Sequence, residues 1–350
     1  MSYEANKPAG PGPAAFKRKT VELHSAELTR ISPLLEHSPL PLKIEPNVEG
    51  VSLVEWAVEK QSVIATGLLK HGGILFRNFR VSIDDFARFV RTVAGELLNY
   101  HDRSSPRHRV SGDLFTSTDY PAEHAIFLHN ENSYSHTWPL KIFFHCVQPA
   151  PRGGETPIAD VRKVFARVSP SLRQRFTEKK VMYVRNFGNG LGLSWQEAFQ
   201  TTDRAVVERT CRGAGIEFEW KANNRLKTRQ VREAIATHPI TKEQLWFNHA
   251  IFFHASTLTS DVRETLFAAG FAEEDFPYNT YYGDGTPFEL ATLDEIRDAY
   301  QQQAIYFSWQ AGDILMLDNM LTAHGRTPYS GARQILVAMA EASGAAIAED

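Results

Sequence analysis

Residues 125–160, AIFLHNENSYSHTWPLKIFFHCVQPAPRGGETPIAD, decide how the rest of the chain is read. Three short apolar runs, 125–129, 141–147 and 156–160, are separated by proline, glycine and polar residues. Their length, and their β-branched and aromatic content, predict strands and not helices. Six further runs of this kind follow at 181–187, 216–220, 244–248, 304–309, 313–317 and 333–340. Short strands at such spacing predict an antiparallel sandwich or barrel.

Upstream the pattern changes. Val51, Val54, Val58, Ile64, Leu68 and Leu69 recur near helical spacing, and Gly73-Ile74-Leu75-Phe76-Arg77 reads as a buried strand. Ser82 or Asp84 is placed to cap a helix whose Phe86, Phe89, Val90 and Val93 face inward. Val262, Leu266, Phe267, Leu293, Ile296 and Tyr300 predict a helical insertion at about residues 256–300. The proline- and glycine-rich opening predicts a disordered tail over residues 1–20, because it can hold neither helix nor sheet ladder. Residues 21–350 then form one mainly β domain with flanking helices.

Composition narrows the function classes. With 350 residues, 43% hydrophobic and 23% charged, the chain reads as an ordinary soluble globular protein. A net charge of -3, and no basic block longer than Lys17-Arg18-Lys19, argue against a nucleic-acid partner. Cys146 and Cys211 make no disulfide scaffold and no zinc motif. No targeting segment is apparent, and no apolar run approaches the ~20 residues that span a bilayer. A cytoplasmic protein without membrane contact is expected.

The chemistry-bearing residues lie around the opening stretch. In Leu128-His129-Asn130-Glu131, the period-2 alternation of a strand puts His129 and Glu131 on one face, where they can chelate one cation. Such a pair alone also arises by chance. A third ligand completes a two-histidine, one-carboxylate facial triad, the usual holder of non-haem iron(II). His324, which follows the strand-like 313–317 run and opens the Gly325–Gly331 turn, is the choice for that ligand. His249 and His254, five apart, suit neither a helical nor a strand pair, and His145 reads as a core residue.

Taken in order, His129-x-Glu131, Arg152-Gly153-Gly154-Glu155-Thr156, Ala311-Gly312-Asp313, Asn319, His324-Gly325-Arg326 and Gly331-Ala332-Arg333 resemble the iron(II)/2-oxoglutarate-dependent oxygenases of the TauD/TfdA superfamily. The match runs from about residue 70 to 340. His129-Asn130-Glu131-Asn132-Ser133-Tyr134 is similar to the branch containing clavaminate synthase and amino-acid hydroxylases of peptide-antibiotic pathways.

The resemblance implies a double-stranded β-helix, that is a jelly-roll or cupin-like core. It implies iron ligation by His129, Glu131 and His324, and a 2-oxoglutarate carboxylate held by Thr156 and Arg333, with Arg326 as the competing arginine. It further implies O2 as co-substrate, oxidative decarboxylation to succinate and CO2, and hydroxylation of an unactivated C–H bond. Glu131 argues against halogenation, since related halogenases lack that carboxylate. Desaturation and ring closure stay open, as do a non-catalytic metal- and 2-oxoglutarate-binding protein and a zinc hydrolase with the same triad.

The expected substrate is a free amino acid or an aminoacyl group tethered to an acyl or peptidyl carrier protein. Val337 stands where some relatives carry a second arginine for a substrate acid, so a sulfonate is disfavoured. Arg103, Asn132, Ser133 and Tyr134 are the candidate substrate contacts. Arg103, Arg107, Arg109, Lys179 and Lys180 are scattered cations that a carrier could meet. The sequence leaves the oligomeric state open.

Overall fold

The computed structural model describes residues 28–98, 109–111, 114–116 and 120–343. The predicted tail and Arg103 lie outside these residues. The scaffold is an eight-stranded sheet with spatial order β1 (Thr29–Leu35), β2 (Ser38–Pro46), β3 (Gly73–Phe76), β16 (Ile314–Asp318), β7 (Trp138–Gln148), β19 (Gln334–Ser343), β5 (Leu114–Thr116) and β4 (Arg109–Ser111). Neighbours pair antiparallel except for β2 and β3.

A smaller three-stranded sheet contains β6 (Ile126–His129), β17 (Thr322–Arg326) and β9 (Ile158–Asp160), with β17 in the centre. A four-stranded sheet has the order β11 (Glu217–Lys221), β12 (Arg225–Arg232), β10 (Val181–Phe187) and β15 (Tyr278–Tyr282). Two short pairs, β13 (Ile235–Thr237) with β14 (Gln244–Trp246) and β8 (Arg152–Gly153) with β18 (Tyr329–Ser330), complete the β-structure.

The central strands read as continuous apolar runs because both faces of the large sheet are covered. Along β16, Ile314 and Met316 join Phe76, Phe86, Phe89 and the helix residues Trp56 and Leu68 in one cluster. Leu315 and Leu317, one step out of phase, pack with Ile142, Phe144, Val337 and Ile158 of β9. The period of two thus sends alternate residues of one strand towards the N-terminal helices and towards the small sheet. The helix Ile83–Ala94 starts where expected, with Ser82 and Asp85 forming a reciprocal capping box.

Several expectations need correction. The helix read over 51–70 is two helices, Leu53–Glu59 and Gln61–His71, that meet at Lys60. The 304–309 run forms no strand: only Ile305 is bridged, to Ile158. Helices are also not confined to one insertion, since Val161–Arg167, Pro170–Lys179 and Arg204–Gly213 lie among the strands. The expected insertion holds Ser260–Ala268 and Leu290–Gln301 on either side of β15. Among the described residues, no helix is long and apolar enough to cross a membrane.

Candidate metal centre

His129 ends β6 and His324 lies within β17, and the two are directly paired across the antiparallel ladder. Their rings stand 4.6 Å apart. This corrects the placement of His324, which is the third residue of a fully buried strand and not the mouth of a turn. Pairing across adjacent strands keeps side chains on one face, so the sheet itself sets the distance between the two imidazoles.

Glu131 reaches the same point by another route than expected. The strand stops at His129, and residues 131–134 form a turn. The Asn319 side chain fixes this turn: its oxygen accepts the Glu131 N–H at 2.8 Å, and its nitrogen donates to the Glu131 and Pro139 carbonyls at 2.9 and 2.8 Å. Asn130 donates in return to the Asn319 carbonyl. One carboxylate oxygen of Glu131 then lies 3.8 Å from His324 Nε2. Ligand atoms of His129, Glu131 and His324 all fall within 4.8 Å of one another.

The donor set fits a divalent cation. Phe127 O lies 2.8 Å from His129 Nδ1, and a carbonyl only accepts, so the proton sits on Nδ1 and Nε2 keeps its lone pair for a metal. A carboxylate only 2% exposed, set between two imidazoles in a largely apolar interior, needs a positive partner to remain ionised. Phe252 stacks on His129 with ring centres 4.1 Å apart, and Phe144 packs against His324 at 5.0 Å. Two nitrogens and one carboxylate on one side, with the other side open, suit iron(II).

The triad opens onto a cavity of about 650 Å³ whose walls include Thr156, Arg333, Phe252, Phe253, His254 and Tyr278. Thr156 is buried, and its hydroxyl accepts from the indole of Trp309 at 3.1 Å. Arg333 precedes β19 and donates from Nε to the Gly154 carbonyl at 3.0 Å. Burial pushes its guanidinium down to about 10, which leaves it charged at neutral pH. Gly154 is required here: its φ is +76°, and a Cβ would stand 3.0 Å from Arg333 Cδ and Nε.

Arg326 also borders the cavity, but its terminal nitrogens donate to the carbonyls of Tyr120, Pro121 and His124. It ties the 120–124 loop to β17. Asn132, Ser133 and Tyr134 were expected along the substrate wall, and the cavity lining leaves all three out. Asn132 has a φ of 55°, and the turn carries the chain away from the cavity. Ser133 Oγ shares a 2.5 Å hydrogen bond with His249 Nδ1, and Tyr134 is fully buried against Tyr183, His249 and Phe253.

The two histidines set aside on sequence grounds are both beside the site. His249 packs edge-on against His129, with ring centres 5.7 Å apart, and His254 borders the cavity. Their signal was hidden because 249–254 is turn, where neither helical nor strand spacing applies.

Residues 36–339 match the model of the taurine catabolism dioxygenase TauD, TfdA family. The chain belongs to the TauD/TfdA family. It is 38% identical over 273 residues to the dapdiamide synthesis protein DdaC of Enterobacter agglomerans, covering 78% of this chain and 83% of that protein. A clavaminate synthase-like protein of Arabidopsis thaliana is 28% identical over 323 residues, covering 87% and 94%. Among solved structures, PvcB from Pseudomonas aeruginosa superposes with a TM-score of 0.54 at 14% identity, over 92% of this chain and 94% of its own. As a TauD/TfdA-family enzyme, this protein is a dioxygenase dependent on iron(II), 2-oxoglutarate and O2.

Proposed function

We propose that this dioxygenase hydroxylates an unactivated C–H bond of a small amino-acid-derived substrate, converting 2-oxoglutarate to succinate and CO2. The observation that carries this reading is the buried His129–Glu131–His324 cluster opening onto a cavity that also holds Thr156 and Arg333. Similarity to a dapdiamide synthesis protein supports the amino-acid class, with the free and carrier-tethered forms both in view. We read the large and small sheets as the two halves of a double-stranded β-helix, and both cysteines, buried and outside any disulfide, as suited to the cytoplasm.

His129 Nε2, the Glu131 carboxylate and His324 would hold the metal. Arg333 and the Thr156 hydroxyl would receive the carboxylate of 2-oxoglutarate remote from the metal, the guanidinium by charge-assisted donors and the hydroxyl by one more. Iron(II) with chelated 2-oxoglutarate supplies the oxidising power when bound, and O2 supplies the oxygen atom. The protein contributes no acid or base to that transfer. Phe252, Phe253 and Tyr278 on the cavity wall would pack on the substrate and exclude water from it.

The test is anaerobic addition of iron(II) and 2-oxoglutarate to metal-free protein, followed by admission of oxygen. A weak visible charge-transfer band, then succinate formation that rises with an amino-acid panel, is expected. Product mass distinguishes hydroxylation (one added oxygen) from desaturation or cyclisation (loss of two hydrogens). Absence of the band would turn the reading towards a metal site without 2-oxoglutarate chemistry.

A further inference from the structure

Beyond the residues proposed for the metal and 2-oxoglutarate, three features of the cavity wall bear on what it accepts. The first is His254. Its Nδ1 lies 3.1 Å from the Ser256 backbone nitrogen, which can only donate, and 2.6 Å from Ser256 Oγ. Nδ1 therefore carries no proton, and the neutral ring holds its hydrogen on Nε2. Burial keeps the ring neutral, lowering its pKa to about 4 despite nearby Glu273. His254 is thus a fixed neutral donor on a half-buried wall beside Phe253 and Leu258.

The second feature is Glu197, an exposed carboxylate that also borders the cavity. One of its oxygens caps the helix Trp195–Phe199 through the Ser194 N–H and hydroxyl, at 2.9 and 2.7 Å. Those bonds lower its pKa and keep it anionic. The third concerns cations. Among the described residues lining the cavity, the arginines are Arg326, tied to three loop carbonyls, and Arg333, placed with Thr156. On a wall holding the anion Glu197 and the neutral donor His254, a substrate carboxylate gains no counter-charge from either, and a desolvated anion without a partner is costly.

We infer that His254 is a specificity-determining residue that donates from Nε2 to a neutral carbonyl of the substrate, so the cavity selects amino-acid derivatives whose carboxyl group is masked as an amide or thioester. The substrate's free amine is accommodated at Glu197. This inference rests on the proposed function and selects the masked form over the free amino acid.

The probes are the common L-amino acids and their carboxamides, titrated calorimetrically into protein loaded anaerobically with iron(II) and 2-oxoglutarate, and into metal-free protein. At least one amide is expected to bind roughly tenfold or more tightly than its free acid, because the acid must desolvate a charge on a wall that already holds Glu197. His254→Phe should weaken the amides and narrow that ratio while leaving the charge-transfer band in place, and His254→Gln, which keeps a donor, should restore part of it. Glu197→Gln should narrow the ratio by improving the free acids. Equal or tighter binding of the free acids, no binding by any amide, or a preference left unchanged by His254→Phe overturns the inference. A missing charge-transfer band overturns the oxygenase reading instead, and the metal-free titration still decides the amide preference.

Discussion

Asn319 brackets Glu131 from both sides of its peptide unit, accepting its N–H at 2.8 Å and donating to its carbonyl at 2.9 Å. The residue that aims the carboxylate therefore comes from the segment between β16 and β17, nearly two hundred positions further along the chain. Both residues are almost fully buried, so every broken bond leaves an unsatisfied polar group.

Asn319→Ala removes three buried side-chain hydrogen bonds and is expected to cost about 2–4 kcal/mol in stability. It should also weaken iron binding about 10- to 100-fold, as loss of a partner that orients a ligand does. Urea denaturation and a competitive chelator titration measure the two effects. Wild-type iron affinity in a folded Asn319→Ala would refute the orienting role.

His129→Ala and His324→Ala each remove one of two facing nitrogens and should abolish iron retention through gel filtration, with the fold preserved by circular dichroism. Glu131→Gly tests the carboxylate separately. Full hydroxylation activity in that variant would show that Glu131 is not a required ligand.

Arg333→Ala should retain iron and lose at least tenfold in 2-oxoglutarate affinity, while Arg326→Ala should retain 2-oxoglutarate binding and lower the melting temperature by freeing the 120–124 loop. The amplitude of the charge-transfer band against 2-oxoglutarate concentration separates the two. The reverse pattern would move the clamp to Arg326.

Gly154→Ala places a methyl group 3.0 Å from Arg333 Cδ and Nε, at a φ of +76° that side chains resist. Displacement of the guanidinium should raise the Kd for 2-oxoglutarate with little change in iron affinity. An unchanged Kd would mean that Arg333 can hold its position by shifting with the loop.

Acid sensitivity should carry a signature of His254. Its pKa falls from 6.5 to about 4, chiefly by burial, against the pull of Glu273 and alongside Arg297 and Arg263. Above 6.5 the ring is neutral folded or unfolded; as pH falls towards 4 only the unfolded chain takes the proton, so stability is lost over that window. His254→Phe removes this component. The urea midpoint of the variant should therefore fall less than wild type between about pH 7 and about pH 4.5, and parallel declines would contradict the assignment.

How much of this was legible in the sequence depended on whether local chemistry or distant packing set the answer. The runs at 125–129, 141–147 and 333–340 became β6, β7 and β19 because their apolar residues follow the strand period on both faces. His129, Glu131 and His324 lie together in space, although Glu131 is not on the strand that the spacing predicts: the strand ends at His129, and a long-range contact to Asn319 fixes the turn that carries Glu131. The hairpin β1–β2 was hidden by Pro33, Pro39, Pro41 and Pro46, which read as breakers when the partner strand is unknown. The helices at 161–179 were masked by the surrounding strand-like runs. Asn132, Ser133 and Tyr134 follow the ligands in sequence but turn away in space, and His249 and His254 approach from a loop that carries no periodic pattern.

The two histidines belong to the small sheet, whereas Arg333 immediately precedes a strand of the large one. Metal and co-substrate, once bound, would act as a rivet through the two sheets. Loading should slow the parting of those sheets under mechanical pull or protease attack. Conversely, damage to the apolar seam between them, at Leu317 or Ile158, should register as lost 2-oxoglutarate affinity even though neither side chain touches the ligand.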